Sequence, residues 1–524
     1  MKYSYLVALL FSTCYSAYAQ TFIRSELNTQ LNTPWEITYG PDNFLWITEK
    51  EGKVARVNPL TGSKTIVFTA TDYFPGSDLE DLQACTNPSI GSGTLGLALD
   101  PDFTEAANAY IYFVYSYNSG ILEPATKFRI KRLTWNAASN TVVSDTNIVD
   151  LISSGHAHLG GRLLAVKQNG TSYLYLTIGD HGPSEFSGPD CYNPQSTNPN
   201  NFTQDITTQN GKIHRFNIDG SIPTDNPVVG NSFFTRGHRN PQGLMYNPNL
   251  DIVYDIEHGD FTDDEINILY KGMNYGWKNV RGYHDDENFA GEATYVANYT
   301  PNPSILNDSL VEPLYSWCTE TPDTSDSTNN YVWCTVAPSD GVYYGSDAIP
   351  QWTNSLLAVT LKDGLTMDRE VYQFKLLEDG SLALSTENHP NPQKFFGEDQ
   401  ALNGRLRDIA ISNDGLRIFL INNGGMDSDK ITVYTYDTTD TGINENDGKH
   451  ILAYPNPVET ILNLEGLEYI QDFKSLFISN IAGSAIIRID EAQSSIDVSG
   501  LAPGVYTITL VGTQQMFNIR FVKK

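Results

Sequence analysis

Along most of the chain a run of alternating apolar and polar residues meets a turn built on Asp or Asn. A second run, rich in aromatic and β-branched residues, follows it. The unit appears at Trp35-Glu36-Ile37-Thr38-Tyr39, turns through Gly40-Pro41-Asp42-Asn43 and continues as Phe44-Leu45-Trp46-Ile47-Thr48-Glu49. It returns at 95–115 around Asp100-Pro101-Asp102, at 161–180 around Gln168-Asn169-Gly170, at 241–257 around Asn247-Pro248-Asn249, and at 406–422 around Asn413-Asp414-Gly415. A two-residue period running into such a turn is the signature of a β-hairpin. A second element also repeats, since Gly52-Lys53-Val54-Ala55-Arg56-Val57-Asn58 matches Gly211-Lys212-Ile213-His214-Arg215-Phe216-Asn217. Hairpins repeated over about 400 residues, with no helical period between most of them, predict an all-β chain with blades arranged around an axis. A stack of sandwich domains is the alternative. The long insertions at 180–209 and 282–328 are expected to gather on one face and build the site.

The two ends read differently. Lys2, an apolar run from Tyr5 to Phe11 and the small-x-small triplet Ala17-Tyr18-Ala19 form an export signal over 1–19, with the mature chain starting at Gln20. The run is too short to cross a membrane, which takes about 20 apolar residues, and no other segment qualifies. Residues 437–450 are a polar linker. Beyond it Tyr454-Pro455-Asn456-Pro457 opens a set of short alternating strands over 451–524, a small β-sandwich. With Leu501-Ala502-Pro503-Gly504-Val505-Tyr506 and the Lys523-Lys524 end, this tail resembles the sorting domain recognised by Bacteroidetes-type (type IX) secretion systems. The resemblance implies passage through the periplasm and across an outer membrane, to the medium or the cell surface, with the secretion machinery as partner. An ordinary accessory sandwich is the other reading.

Charge and cysteines narrow the field. Lys and Arg number 33 against 62 Asp and Glu, a net charge of −29, which excludes a general nucleic-acid binder. Cys14 leaves with the signal, so four cysteines enter an oxidising compartment, and four allow three pairings. Cys318 with Cys334 closes the short loop and leaves Cys85 with Cys191. A zinc site lacks the CxxC spacing.

Several stretches carry chemistry. Gly91-Ser92-Gly93-Thr94-Leu95-Gly96 spells a dinucleotide fingerprint, but a strand follows where a helix is required, so nicotinamide and flavin are rejected. His158, in His156-Ala157-His158-Leu159-Gly160-Gly161-Arg162, is a candidate general base, and Asp180 at the end of the partner strand is a candidate orienter. Gly237-His238-Arg239-Asn240-Pro241-Gln242-Gly243 offers a cation and an amide to an anionic or carbonyl-rich ligand. Lys362, Arg405 and Arg407 add three cations, converging residues that suit a polyanion in so acidic a chain. The acidic run 257–265 offers hard oxygen ligands that suit calcium in an irregular site.

Together these residues resemble the soluble glucose/sorbosone dehydrogenase family, six-bladed β-propellers that use pyrroloquinoline quinone (PQQ) and calcium. The resemblance runs over 31–436 within a propeller domain at 20–436. It is carried by His158-Leu159-Gly160-Gly161-Arg162-Leu163, the 237–243 turn, Asp263-Asp264-Glu265-Ile266-Asn267, Asn274-Tyr275-Gly276-Trp277, Trp333-Cys334-Thr335-Val336-Ala337-Pro338 and the Lys362 and Arg405/Arg407 segments. It implies oxidation of an aldose at the anomeric carbon to the lactone, with electrons passed to an external acceptor. By the resemblance His158 is the base, Asp180 orients it and Arg239 meets the quinone oxygens. Asn240, Thr335, Lys362, Arg405 and Arg407 join Arg239 in binding PQQ, which carries three carboxylates, and Trp333 faces the substrate. The backbone carbonyls of Gly259 and Asp260 hold the active-site calcium, while Glu265, Tyr275 and Asp285 match a second calcium site. The chain departs from glucose-oxidising members at Gly91 (Gln there), Ala157 (Asp there) and Asp260 (Pro there). The first two bear on PQQ affinity and on the identity of the sugar; the third keeps its carbonyl. A calcium-dependent lactonase and a non-catalytic sugar- or protein-binding propeller are the competing functions.

Overall fold

The computed structural model describes residues 22–74, 93–104, 109–120, 126–153, 158–181, 202–260, 262–284, 290–318, 335–362, 367–382, 392–423, 429–437, 452–467, 470, 473–480, 485–511 and 516–524. The chain is all-β and divides into two compact units, Arg24–Thr435 and one that contains Tyr436–Lys524.

Among the described residues the larger unit is built on six four-stranded sheets, numbered I to VI in chain order. Sheet I is Pro34–Tyr39, Leu45–Glu49, Lys53–Val57 and Lys64–Thr69; sheet II is Thr94–Leu99, Tyr110–Asn118, Thr126–Asn136 and Thr141–Ile152. Sheet III is Leu163–Gln168, Thr171–Ile178, Lys212–Asn217 and Phe233–Arg236; sheet IV is Asn240–Asn247, Ile252–His258, Asp264–Ile268 and Tyr315–Trp317. Sheet V is Pro338–Tyr344, Ser355–Thr360, Val371–Lys375 and Gln393–Phe395. Sheet VI is Leu406–Ile411, Arg417–Asn422 and Ile431–Tyr436, and its fourth strand, Phe22–Glu26, comes from the other end of the unit. The first strand of each sheet approaches the first strand of the next, and that of sheet VI returns to that of sheet I.

All five hairpins expected from the turn pattern are present as the first two strands of sheets I, II, III, IV and VI. The repeated Gly-Lys element supplies the third strand of sheets I and III. Apolar residues fill the space between neighbouring sheets. Ile37, Leu45 and Ile47 pack with Phe419, Ile421 and Val433 between sheets I and VI. Leu95, Val114 and Phe128 meet Leu163, Leu174 and Leu176 between II and III. Met245, Tyr254 and Ile256 meet Leu356, Ala358 and Phe374 between IV and V.

The first strands share a distortion. In sheets I, II, IV, V and VI the register shifts near the start of that strand, between Pro34 and Glu36, Thr94 and Leu97, Pro241 and Gly243, Pro338 and Asp340, and Leu406 and Asp408. A bulge re-aims side chains, and here three carboxylates meet one guanidinium. Arg162 is 2% exposed. Its Nη1 bonds Glu36 and lies 3.0 Å from both Asp340 and Asp408. Its Nε donates to the Gln242 carbonyl at 3.0 Å and its Nη2 to the Ser339 carbonyl at 3.3 Å.

The smaller unit has two sheets among its described residues. One is Leu452–Tyr454, Ile461–Glu465 and Ser495–Asp497; the other is Ala485–Ile489, Ser475–Asn480, Gly504–Val511 and Met516–Lys523. Leu462, Leu464 and Ile496 share one core with Leu476, Ile478, Ile508 and Phe521. No helix among the described residues is long and apolar enough to cross a membrane.

Two outcomes follow for stability. Replacing Arg162 by Ala leaves three buried carboxylates without their cation and is expected to cost about 3–5 kcal/mol, read as a lower denaturant midpoint; an unchanged midpoint refutes the hub. The fully buried His214, 2.9 Å from Ser232 Oγ and 3.0 Å from the Gln209 carbonyl, is pushed down to about 4 by burial. The unfolded chain therefore takes up this proton near pH 6.5 and the native chain only near pH 4, so stability falls as pH drops through that window. Thermal midpoints of His214→Gln are expected to fall less than those of the wild type between pH 7 and pH 4.5; parallel curves would contradict this assignment.

Candidate active site

The turn entering sheet III and the turn leaving its second strand set a histidine against an aspartate. His158 adopts a left-handed backbone, φ 48°, and its Nδ1 lies 2.8 Å from Asp180 Oδ1. The Asp180 side chain is fully buried; its Oδ2 accepts from Trp277 Nε1 at 2.8 Å, and its N–H donates to the Arg239 carbonyl at 2.8 Å. A Cβ on Gly179 would lie 1.9 Å from the His158 carbonyl oxygen, so only glycine lets the two turns approach. With Nδ1 donating to a carboxylate, Nε2 of a neutral His158 is an acceptor.

Arg239 and Asn240 open sheet IV from the turn begun by Gly237, where φ is 80° and a Cβ would lie 2.3 Å from Asn274 Oδ1. The Arg239 N–H donates to Glu257 Oε2 at 2.8 Å, and Glu257 Oε1 meets His238 Nδ1 at 2.9 Å. The Arg239 guanidinium lies 5.5 Å from the Trp277 ring centroid and bonds the His258 carbonyl at 3.4 Å and Asp260 at 3.3 Å. Asp260 also meets Arg281 at 3.2 Å.

Sheet VI brings the other cations. Arg407, 4% exposed, lies 4.0 Å from the Trp35 ring and donates to Gln242 Oε1 at 2.9 Å. Arg405 donates to Asn423 Oδ1 at 2.8 Å. Burial, then the nearby charges of Arg162 and Arg405, pull the Arg407 pKa well below its ordinary value. Burial with Arg407 and Arg405 nearby pulls Lys50 down to about 8. The Lys362 carbonyl accepts from the Asp368 N–H at 3.3 Å, and the charges of Asp368 and Asp264 reach the Lys362 side chain. Arg407 Nε and Nη2 and Arg239 Nε are buried with no partner among the described residues. Guanidinium donors left open in a cleft suit the carboxylates and carbonyls of an anionic cofactor.

Gly259 and Asp260 follow the second strand of sheet IV. Asp264 holds this turn, since its Oδ1 accepts from the Gly259 N–H at 3.0 Å while its Oδ2 accepts from Val336 at 2.8 Å and Ala337 at 2.9 Å. One carboxylate thus ties the 259–260 turn to the segment beginning at Thr335, and burial raises it to about 6. Glu265, pushed up by burial and by the neighbouring Glu257, accepts from Gly282 N–H at 2.9 Å and Asn267 Nδ2 at 3.1 Å. Tyr275 lines a small cavity with Glu265, Arg239 and Gly259, stacks on His238 at 4.7 Å, and bonds the Ile268 carbonyl through its hydroxyl.

Hydrogen bonds therefore link His158, Asp180, Arg239, Asp260, Asn240 and Arg407 into one neighbourhood that includes Gly259. Trp333, Cys334, Cys85, Cys191, Asp285, Gly91 and Ala157 lie outside the described residues, while Cys318 follows the last strand of sheet IV. Sequence reasoning missed His258, which sits inside the acidic run, and the roles of Gln242, Trp277, Asp264 and Lys50. Gln242 alone carried a signal, standing two residues from Asn240 on one strand. Glu36, Asp340 and Asp408 converge closely enough to hold a metal ion, but the Arg162 guanidinium occupies the place between them.

Comparison with known proteins places these features. The family model described as glucose/sorbosone dehydrogenase matches residues 31–427, and that of a secretion-system C-terminal sorting domain matches 452–524. Quinoprotein glucose dehydrogenase B of Acinetobacter calcoaceticus is 32% identical over 452 residues, covering 77% of this chain and 86% of that protein. An aldose sugar dehydrogenase of Escherichia coli is 27% identical over 371 residues, 68% of this chain and 82% of the relative. The PQQ-bound aldose sugar dehydrogenase of Streptomyces coelicolor superposes with a TM-score of 0.54 at 22% identity, over 80% of this chain and 99% of that one. The fold is that of the sugar dehydrogenases. The chain belongs to the glucose/sorbosone dehydrogenase family and ends in a secretion-system sorting domain.

Asp264→Asn turns an amide N–H₂ toward one of the two loops. Hydrogen exchange at Gly259, Val336 and Ala337 is expected to rise roughly tenfold or more; protection unchanged at all three would remove Asp264 as the tie.

Proposed function

We propose that the protein is an exported, PQQ- and calcium-dependent aldose dehydrogenase that oxidises the anomeric carbon to a lactone and passes electrons to an external acceptor. The observation that carries this is the His158–Asp180 pair, held 2.8 Å apart in the same cleft as buried guanidiniums with unpartnered donors. Bound PQQ supplies the two-electron acceptor for the anomeric C–H. His158 Nε2 takes the proton of the anomeric hydroxyl. Asp180 fixes the tautomer and stabilises the imidazolium that results, and Trp277 holds the second oxygen of Asp180. Arg239, Asn240, Thr335, Lys362, Arg405 and Arg407 hold the cofactor's oxygens, and Trp333 packs on the sugar. The Gly259 and Asp260 carbonyls take calcium at the cofactor, and Glu265 with Tyr275 and Asp285 takes a second.

The circuit of six sheets supports a six-bladed β-propeller over 20–436, and the shared core of the two small sheets supports a β-sandwich over 451–524. The sorting-domain match supports export to the medium or the cell surface, with an export signal at 1–19 and disulfides Cys318–Cys334 and Cys85–Cys191. Neither competing reading gains support. The axial acids already hold a guanidinium, and a passive binder has no need of an oriented base.

The test is PQQ titration into the metal-stripped protein with and without Ca²⁺, followed by dye reduction across aldoses. Calcium-dependent binding with sugar-dependent reduction is expected, and His158→Ala is expected to keep PQQ while losing roughly 10²-fold or more in rate. Absence of PQQ binding at micromolar cofactor, or an undiminished rate in His158→Ala, overturns the reading.

A further inference from the structure

A chain of side-chain hydrogen bonds crosses the cleft from sheet VI to sheet IV, and its direction is fixed at one end. A guanidinium donates and never accepts. Arg407 Nη1 lies 2.9 Å from the Gln242 side chain, so the atom it meets is Oε1. Gln242 Nε2 is then the donor to Asn240 Oδ1 at 2.8 Å. Asn240 in turn presents Nδ2 to His258 Nδ1 at 3.4 Å, and that nitrogen must accept. A neutral imidazole with a bare Nδ1 carries its proton on Nε2. A ring whose Nδ1 accepts from an amide holds a single proton and is neutral. His258 Nε2 is buried without a partner among the described residues, in a ring that lines the cavity beside Arg239, Gly259 and Asp260.

We propose that His258 is a further cofactor-binding residue, a neutral donor whose Nε2–H bonds an oxygen of PQQ and whose tautomer is set from Arg407 through Gln242 and Asn240. The proposal rests on the PQQ reading above. The surrounding cations attract an anion from many directions, whereas one N–H in a fixed ring imposes an orientation.

Two measurements on the full chain test it. In the cofactor-free protein labelled with ¹⁵N-histidine, with the His258 signals identified by their loss in His258→Phe, the Nε2–H tautomer is expected; an Nδ1–H tautomer overturns the proposal whatever the cofactor does. In PQQ titrations with Ca²⁺, His258→Phe keeps the ring shape without the donor and is expected to bind at least roughly tenfold more weakly. His258→Gln, whose Nε2 reaches a similar point, is expected to stay within about threefold of wild type. Should the Phe variant not fold, His258→Asn, which lacks the distal donor, replaces it. Equal affinity of wild type and donor-less variant sinks this proposal alone; a wild type that takes no PQQ sinks the cofactor reading itself.

Discussion

A single buried guanidinium sets the geometry on which the rest of the large unit depends. Arg162 joins Glu36 of sheet I, the Gln242 carbonyl of sheet IV, Ser339 and Asp340 of sheet V and Asp408 of sheet VI. An ion removed from water must be paired and hydrogen-bonded, and one cation cannot neutralise three carboxylates. Burial first, then the crowding of the acids, pushes Glu36 and Asp340 well above the usual carboxylate range, against the pull of Arg162. The bulges of the first strands answer the same constraint, because a regular pleat would send successive side chains to alternate faces rather than bring Glu36, Asp340 and Asp408 to one point.

The hub reaches the cleft through neighbouring residues. Trp35 precedes Glu36 and has Arg162 and Arg407 at 4.2 and 4.0 Å from its ring. Arg407 precedes Asp408. Gln242 gives its carbonyl to Arg162 and its side chain to Arg407 and Asn240. Residues that hold the axis thus alternate with residues that line the cleft. In a protein of net charge −29, distant acids repel an anionic ligand weakly, since charges beyond about 10 Å are screened by salt. An anion in contact with Arg239, Arg405 and Arg407 would meet them at short range in a poorly solvated setting, where screening is slight.

The hairpins were legible because Asx, Gly and Pro turns punctuate the chain at 40–43, 100–102, 168–170, 247–249 and 413–415. The hairpin of sheet V escaped notice because its strands, Pro338–Tyr344 and Ser355–Thr360, are joined by a ten-residue link at 345–354 rather than a tight turn. His158, Asp180, Arg239 and Arg407 were legible because scarce cations and a histidine with a nearby acid are conspicuous in an acidic chain. The axial acids were not, since Glu36, Asp340 and Asp408 look like ordinary strand residues until the fold brings together positions some 370 apart, as when Asp408 accepts from the Ile37 N–H. Asp264 was read as one of a run of oxygen ligands, yet it serves as a backbone tie. His258 was hidden in that same run.

His158 and the cations are anchored on different sheets, so their spacing depends on how those sheets pack. His158 and Asp180 belong to the turns of sheet III, Arg239 and Asn240 to sheet IV, and Arg405 and Arg407 to sheet VI. Among the bonds that tie sheet III to sheet IV and the turn after it are Asp180 N–H to the Arg239 carbonyl and Trp277 Nε1 to Asp180, both at 2.8 Å. Sheet VI meets them through side chains, Arg407 to Gln242 and Asp408 to Arg162. For the proposed oxidation the base would stand within hydrogen-bond reach of the hydroxyl proton and the electron acceptor would face the C–H of the same carbon. The spacing of His158 from Arg239 and Arg407 is set by how sheets III, IV and VI sit around Arg162, and under the proposed function an error of an ångström there would cost rate even with each of these residues intact.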